Sequence, residues 1–250
     1  MDSPAAAPVL DVRSVSKRFG GVEALKGVSL QLHPGEVVAL AGDNGAGKST
    51  LTKMISGVYG ADGGEIRLDG KPVSFATPEA ARAAGIETIY QDLALADNLS
   101  IGGNIFLGRE PMRRAWGVLP VLDRRAMAAA AKDTMAALDF HVDRLNEPVG
   151  RFSGGQRQAV AIGRAIFWNA RVILMDEPTA ALGVPEQRKV LGLVKTLRSQ
   201  GRGVLFISHN LQDIFGVADR IVVLRRGSLA GERRIKDTDH DEVVKLMIGG

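Results

Sequence analysis

The 250-residue chain contains no cysteine, so disulfide bonds and thiolate metal sites are excluded. A chain without thiols is compatible with a reducing compartment. The sequence also lacks an uninterrupted run of about eighteen apolar residues, the length that a membrane-spanning helix needs. The longest candidate, residues 160–175, is interrupted by Arg164, Asn169 and Arg171. We therefore expect no segment that spans a membrane.

Long runs of basic charge are absent, although the formal net charge is +4. The arginine pairs at 113–114, 124–125, 225–226 and 233–234 are scattered along the chain. This pattern favours a solvated, mildly basic surface, and no nucleic-acid partner is expected. A basic face turned toward an anionic membrane leaflet is the alternative.

The first eight residues carry neither a charged nor an apolar signal region. They predict a disordered lead-in rather than a signal peptide. After Ile235 only one short helix is expected, and no appended regulatory domain. The length suits one large domain, and we expect a single domain over residues 1–250.

Apolar runs alternate with helical patterns along much of the chain. The run at 37–41 predicts a strand covered on both faces, and a helix follows at 49–56. Similar buried strands are predicted at 172–175, 204–207 and 221–224. This order predicts an α/β fold with a doubly wound parallel sheet. The first sixty or so residues alternate as in an antiparallel layer.

The middle of the chain has a different pattern. Asp123 begins a long alanine-rich stretch that strongly favours a helix. We expect an inserted helical subdomain at about 92–168, with the core formed by residues 9–91 and 169–250.

A complete G-x-x-x-x-G-K-[ST] motif follows the first buried strand and opens a helix. Its residues are Gly42, Asp43, Asn44, Gly45, Ala46, Gly47, Lys48 and Ser49. Such loops turn backbone N–H groups toward phosphates, so the motif predicts binding of a nucleoside triphosphate. Lys48 would reach the β- and γ-phosphates, Ser49 would ligate Mg²⁺, and Thr50 would touch the α-phosphate. The alternative, a chance glycine-rich turn, is disfavoured by the strand and helix on either side.

Asp176 and Glu177 follow a buried strand, where ligands bind in open α/β sheets. Beside a phosphate loop, Asp176 would hold Mg²⁺ through water, and Glu177 would be the general base toward the attacking water. An acidic turn that caps the helix after Pro178 is the alternative.

His209 and Gln91 each follow a predicted strand whose end lies at the same sheet edge. His209 would donate to the γ-phosphate, and Gln91 would ligate Mg²⁺ and sense the γ-phosphate. A purely structural histidine is the alternative for His209, and Gln91 alone would carry no signal.

Ser153, Gly154, Gly155 and Gln156 open a predicted helix that runs to about Phe167. Two glycines at a helix start expose N–H groups to an anion. An ordinary serine N-cap explains the same residues equally well.

In this order, the phosphate loop, Gln91, Ser153 to Gln156, Asp176–Glu177 and His209 resemble the ATP-binding subunits of ABC transporters. The resemblance covers about residues 9–235. It implies the ABC ATPase form of the P-loop NTPase fold, with a RecA-like parallel core, an antiparallel β layer and a helical subdomain. It also implies that Ser153 and Gly155 contact ATP held by a second subunit. Phe19 would stack on adenine, with a core aromatic as the alternative.

The segments 90–95, 104–110 and 178–184 resemble, more narrowly, the ATPases of ribose, xylose and fructose importers. That resemblance implies ATP and Mg²⁺ as ligands, a partner ATPase that is a second copy, and a membrane permease docked on about 92–116. A periplasmic or extracellular sugar-binding protein would act indirectly, and the chain would lie peripherally on the cytoplasmic face of the inner membrane. Two departures are Phe152 for the usual leucine and Gly183 for an aspartate that contacts across the dimer.

Two rival functions stay open. An exporter or a micronutrient importer would use the same motifs. A soluble ABC-type protein acting on ribosomes or DNA is less favoured, because no second such domain or long coiled coil is present in the sequence.

Overall fold

The computed structural model of the chain describes residues 7–115, 118–138, 140, 144–180 and 182–249. Most of the predicted lead-in, residues 1–6, lies outside this part. The chain divides into two compact units. Unit 1 comprises Met1–Gln91, Ala170–Pro178 and Val194–Gly250, and unit 2 comprises Asp92–Asn169 and Thr179–Leu193. Among the described residues, no helix has the length and apolar character that crossing a membrane requires.

The strands are β1 (Leu10–Phe19), β2 (Val22–Leu32), β3 (Val37–Ala41), β4 (Gly63–Leu68), β5 (Lys71–Val73), β6 (Ile86–Ile89), β7 (Met112–Ala115), β8 (Leu119–Leu122), β9 (Val172–Asp176), β10 (Gly203–Ile207), β11 (Arg220–Arg225) and β12 (Ser228–Arg234). The helices are α1 (Lys48–Ile55), α2 (Pro78–Ala83), α3 (Ile101–Ile105), α4 (Arg124–Ala137), α5 (Gly154–Phe167), α6 (Val184–Ser199), α7 (Leu211–Val217) and α8 (His240–Ile248).

The main sheet of unit 1 has the order β12-β11-β3-β10-β9-β6. All neighbours pair in parallel except β12, which is an antiparallel edge strand. Every residue of β3 and β10 is buried, because both faces of these central strands are covered. The predicted α/β fold with a parallel core is thereby confirmed.

A second sheet of unit 1, in the order β2-β1-β4-β5, is antiparallel. It extends to Val73, somewhat beyond the sixty residues expected from the alternating pattern. In β2 the buried positions are Leu25, Val28, Leu30 and Leu32, so one face of this strand meets the core. These residues of β2 belong to a hydrophobic cluster that also contains alternate residues of the parallel strands. Burial of each fully buried leucine in this cluster contributes roughly 1.5–3 kcal/mol to the stability of the fold.

Unit 2 has a helical core in which α3, α4 and α5 pack against one another. The packing is close at Gly163, where an added Cβ would lie 2.4 Å from Cε of Met135. Unit 2 also contains the hairpin β7–β8, in which Met112 pairs with Leu122. The sequence did not indicate this hairpin, because it has neither an Asn-Gly nor an Asp-Gly turn between its strands.

Polar contacts join the amino ends of the parallel strands in unit 1. Arg220 Nε donates to Glu36 Oε1 at 3.0 Å, and Arg220 Nη2 donates to the carbonyl oxygen of Gln31 at 2.7 Å. Burial by itself would raise the pKa of Glu36, but hydrogen bonds from Arg220 and His33 outweigh it and lower that pKa. Arg220 also pairs with Glu232. The guanidinium thus ties β11 to the turn before β3 and to β12.

We predict that Arg220→Met lowers the free energy of unfolding by about 2–3 kcal/mol at neutral pH, because the half-buried Glu36 carboxylate loses its guanidinium partner and keeps only the contacts with His33. Since the pKa of Glu36 is lowered in the folded protein, its contribution is present above about pH 4.3 and is lost as the pH falls through the folded value. The loss caused by the substitution should therefore shrink in acid. Urea unfolding at neutral and acid pH measures this difference.

Arg234→Met is the matched control, because Arg234 is an exposed cation at the end of β12. We expect this control to change the free energy of unfolding by less than about 0.5 kcal/mol. Equal losses in the two variants, or a loss in Arg220→Met that grows in acid, would contradict the assignment.

Candidate functional site

The carboxyl ends of neighbouring parallel strands carry most of the residues that the sequence singles out. β3 leads into the phosphate loop, β9 ends at Asp176, and His209 and Gln91 follow β10 and β6. Because β10 pairs in parallel with both β3 and β9, and β9 with β6, these ends lie at one edge of the sheet. That edge is where ligands bind in open α/β folds.

The phosphate loop leaves β3 through a narrow passage at Gly42. The φ angle of Gly42 is 147°, and an added Cβ would lie 2.3 Å from the carbonyl oxygen of Leu224 in β11. No other residue fits without moving backbone atoms. The first glycine of the motif therefore fixes where the loop begins.

The loop continues into α1 through Gly47, which is the N-cap residue and has φ 108°. Glycine has no side chain to cap the helix, so N–H groups of the first turn remain available to an anion. Lys48 Nζ donates to the carbonyl oxygens of Gly42 at 2.6 Å and Asp43 at 3.1 Å. The lysine is thus held over its own loop.

A cavity of about 540 Å³ adjoins the loop. It is lined by Val22, Glu23, Ala24, Lys26, Asn44, Gly45, Ala46, Gly47, Lys48, Ser49, Thr50, Arg226 and Gly227. An added Cβ at Gly45 would meet nothing within 4 Å, so the loop is open there. A lysine, a glycine-capped helix and an open loop fit a phosphate chain. Lys26 and Arg226 are cations of this cavity that the sequence motifs did not indicate.

Asp176 is the last residue of β9 and is half-buried. Burial raises its pKa, the adjacent charge of Glu177 adds to the rise, and Lys48 opposes it. A carboxylate that is disfavoured in this way gains from a bound cation. The donor types of Ser49, Gln91 and Asp176 (hydroxyl, amide and carboxylate oxygens) are those that Mg²⁺ takes.

The hydroxyl, amide and carboxylate oxygens of Ser49, Gln91 and Asp176 form the candidate metal-binding set of this site. Within the described parts of the chain, no group of three or more histidine, cysteine, aspartate or glutamate side chains could hold a metal ion. Gln91 is exposed, two residues beyond the end of β6. The set of Ser49, Gln91 and Asp176 stays a prediction.

Glu177 has a left-handed backbone, with φ 49°, which is costly for a residue with a side chain. Its N–H donates to the carbonyl oxygen of Ile207 in β10 at 2.9 Å, which holds the residue in place. Strained residues of this kind cluster at functional sites. The backbone geometry therefore marks Glu177 independently of the motif.

The Glu177 carboxylate and the His209 ring form a pair, with Oε1 2.8 Å from Nδ1. Glu177 is 17% exposed and His209 is 72% exposed, so the histidine covers a mostly buried acid. When the Glu177 carboxylate is ionised it only accepts hydrogen bonds, and Nδ1 is then the donor. The Nε2 atom of a neutral ring is then an acceptor, and it donates only when the ring carries a second proton.

Phe19 lies at the end of β1 and is 42% exposed, which excludes the core-aromatic alternative. Its ring meets that of Tyr59 edge to face, with centroids 5.2 Å apart. The Nζ atom of Lys17 lies 5.7 Å from the Phe19 ring centroid. Tyr59 is a second aromatic residue here, which the motifs did not indicate. The stacking role of Phe19 stays a prediction.

In unit 2, Ser153 is the N-cap of α5 within a capping box. Its hydroxyl accepts from the N–H of Gln156 at 3.4 Å, and Oε1 of Gln156 accepts from the N–H of Ser153 at 3.0 Å. The N-cap alternative is therefore realised, and it occupies the side chain of Gln156. It does not exclude a contact with an anion at the two glycines.

Gly154 and Gly155, at the start of α5, pack against the segment that contains Gly183. An added Cβ would lie 2.6 Å from Cδ2 of Leu182 at Gly154, and 3.1 Å from Cγ of Glu186 at Gly155. At Gly183 it would lie 2.9 Å from Oε2 of Glu186. The carboxylate of Glu186 thus takes the space that an aspartate at position 183 would enter, and an acid there would meet a like charge. The segment 178–184, one of those that carry the narrower resemblance, includes Ala181, which lies outside the described residues.

The chain is similar to several known proteins over most of its length. A family model described as ABC transporter matches residues 25–180. The chain is 48% identical over 239 residues to a xylose/arabinose import ATP-binding protein of Sulfolobus acidocaldarius, covering 96% of this chain and 93% of the relative. It is 46% identical over 250 residues to a fructose import ATP-binding protein of Rhizobium meliloti, covering 98% and 95%. The match to a ribose import ATP-binding protein of Rhizobium johnstonii is 44% identical and covers 99% of this chain, which spans about half (47%) of that relative.

Two solved structures are similar throughout. One is the ADP conformation of an ATP-binding cassette of an ABC transporter, with a TM-score of 0.81, 27% identity, and coverage of 98% of this chain and 100% of that one. The other is a dimeric post-hydrolysis state of an ATP-binding cassette bound to ADP and Pi, with a TM-score of 0.74, 25% identity, and coverage of 92% and 100%. Because the family model matches more than half of the chain, and relatives at 46–48% identity match it nearly end to end, the chain belongs to the ABC transporter family and is one of its ATP-binding cassettes.

Proposed function

We propose that this chain is the ATP-hydrolysing subunit of an importer for a monosaccharide. The observation that carries the ATPase activity is the Glu177–His209 pair, which lies at the same sheet edge as the phosphate loop. The substrate class rests on the names of the relatives, which are import proteins for xylose/arabinose, fructose and ribose.

In the proposed binding step, the triphosphate lies along the loop. N–H groups at the start of α1 donate to phosphate oxygens, and Lys48 exchanges its hydrogen bonds to Gly42 and Asp43 for the β- and γ-phosphates. Phe19 stacks on the adenine. The 42% exposure of this ring leaves a face for the base.

In the proposed hydrolysis step, Glu177 takes a proton from the water that attacks the γ-phosphorus, and the bond between that phosphorus and the leaving oxygen of ADP breaks. His209 orients the Glu177 carboxylate and, when its ring is doubly protonated, donates to the γ-phosphate. Mg²⁺ held by Ser49 and Gln91, and by Asp176 through water, would neutralise phosphate charge when it is bound. The products are ADP and inorganic phosphate.

The working unit that we propose is a pair of copies with two ATP molecules between them. Each ATP would be held by the phosphate loop of one copy and by Ser153, Gly154 and Gly155 of the other. The capped start of α5, with its two glycines, suits an anion. A dimeric cassette bound to ADP and Pi among the similar structures supports the pairing.

We propose that a membrane permease docks on residues 92–116, of which 116 lies outside the described part. Within unit 2 this segment is joined to α5, because Arg157 Nη2 lies 2.6 Å from Asp97 Oδ1. The carbonyl oxygen of Asp97 accepts from the N–H of Gly150 at 2.9 Å. Force on the docked segment would therefore reach the start of α5. In this arrangement the chain is peripheral on the cytoplasmic face, and a sugar-binding protein acts through the permease.

Lys48→Ala should abolish tight binding of Mg-ATP, because the substitution removes the cation that the loop holds for the β- and γ-phosphates. Isothermal titration calorimetry measures the binding. Lys71→Ala, at an exposed lysine of β5, is the matched control and should bind as the wild type does. Undiminished binding in Lys48→Ala would remove this lysine from the phosphate site.

Glu177→Gln should still bind ATP, while turnover falls by on the order of 10²–10⁴-fold, because an amide cannot accept the proton of the attacking water. Phosphate release measures turnover, and Glu79→Gln, an exposed acid on α2, is the control. Near-normal hydrolysis would exclude Glu177 as the base.

The Glu177→Gln variant should also shift from monomer to dimer when ATP is added in a sizing experiment. A monomer under both conditions at high concentration would count against the pair of copies.

The import function is tested on the intact membrane complex. Purification through this chain should bring down a permease, and the ATPase activity should rise when a monosaccharide and its binding protein are added. An exporter would show no stimulation by any sugar-binding protein. A ribosomal or DNA partner in place of the permease would overturn the transport assignment.

A further inference from the structure

The turn between β11 and β12 carries a strained arginine beside the nucleotide cavity. Arg226 has φ 49°, in the left-handed region that favours glycine, and its side chain is exposed. The next residue, Gly227, has φ 82°. A turn can hold glycine or asparagine in this conformation at low cost, so an arginine there points to use of its side chain.

Hydrogen bonds lock this turn to both sides of the cavity. The N–H of Gly227 donates to the carbonyl oxygen of Ala46 in the phosphate loop at 3.0 Å. The carbonyl oxygen of Gly227 accepts from the N–H of Lys26 in β2 at 2.8 Å. An added Cβ at Gly227 would lie 2.8 Å from the carbonyl oxygen of Ala24, so β2 and the turn are in close contact. The position of Arg226 is therefore set by the same contacts that set the loop.

Two cationic side chains lie at the wall of the nucleotide cavity near this turn. Arg226 and Lys26 both line the cavity, and no ion pair of either side chain is found within the described part of the chain. Glu23, also at the cavity wall, is the nearest acid along β2. The cations of the cavity thus include two without an ion pair among the described residues, in addition to Lys48, which the loop carbonyls hold.

We propose that Arg226 is a second phosphate-binding cation of the nucleotide site, with Lys26 beside it, acting on the phosphate chain together with Lys48. The inference rests on the proposed function, because its ligand is the nucleotide. The guanidinium replaces no part of the phosphate-loop motif. The Arg226 side chain adds a donor from the turn between β11 and β12, which the bond between Gly227 and Ala46 holds next to the phosphate loop.

The test compares Arg226→Ala, Arg226→Lys and Arg226→Gly by calorimetry with Mg-ADP and with a non-hydrolysable ATP analogue. Arg226→Ala should raise the Kd about three- to tenfold, in the range between an exposed ion pair and a charge-assisted hydrogen bond. Arg226→Lys should stay within about twofold of the wild type, because an ammonium group also binds phosphate as a point charge. The difference between wild type and Arg226→Ala should shrink as salt is raised, since an exposed charge is screened.

Arg226→Gly separates charge from backbone strain. Glycine relieves the strained φ, so the variant should fold at least as well as the wild type in thermal unfolding and yet bind as weakly as Arg226→Ala. Arg234→Ala, which removes the same charge at the far end of β12, should leave the Kd unchanged.

A wild-type Kd in Arg226→Ala, or a wild-type Kd in Arg226→Gly, would overturn the proposal. An equal loss in Arg234→Ala would reduce the effect to net charge and overturn it as well. These results leave the proposed function intact if the wild type binds nucleotide and Lys48→Ala does not. If the wild type itself binds no nucleotide, the proposed function fails first, and this inference fails with it.

Discussion

The nucleotide site depends on how closely the phosphate loop passes β11. At Gly42 the backbone of the loop runs so near the carbonyl oxygen of Leu224 that even a methyl group would collide with it. Four residues further on, Ala46 accepts a hydrogen bond from Gly227, in the turn after β11. The loop is thus held at two points by one strand and its turn. A loop that is shaped before the ligand arrives needs little further ordering when phosphate binds.

The end of β9 is likewise held in a fixed geometry, although two adjacent residues there have energetically unfavourable features. Asp176 is a half-buried carboxyl whose pKa is raised by burial, and Glu177 has a left-handed backbone. The parallel pairing with β10 stabilises the backbone of Glu177, since Ile207 accepts its N–H at 2.9 Å. The free-energy cost of these two features is offset by the stability of a sheet whose central strands β3 and β10 are fully buried. Folding energy therefore maintains Glu177 in a strained backbone conformation at the sheet edge where hydrolysis is proposed.

Much of the core of unit 1 could be predicted from local pattern. The strands β3 and β10, and β9 up to Met175, are unbroken apolar runs, and such runs form where both faces of a sheet are covered. The phosphate loop is a fixed spacing of residues whose chemistry is local, so its sequence suffices. The hairpin β7–β8 could not be predicted in this way, because its strands are exposed, short and without a turn signal. Its pairing depends on contacts that no periodicity records.

The sequence by itself determined the class of the fold, the phosphate loop and the acid that ends β9, because each follows from residues that are adjacent along the chain. Only the tertiary structure decided that Glu177 meets His209, which lies 32 positions away, since parallel pairing of β9 with β10 sets that distance. It also placed Arg226 at the cavity wall, through a turn 180 residues beyond Ala46. Similarly, Glu186 occupies the space beside Gly183. The contacts of Glu177 and the position of Arg226 depend on which strands become neighbours in the sheet. The burial of apolar surface over the whole sheet determines that strand order.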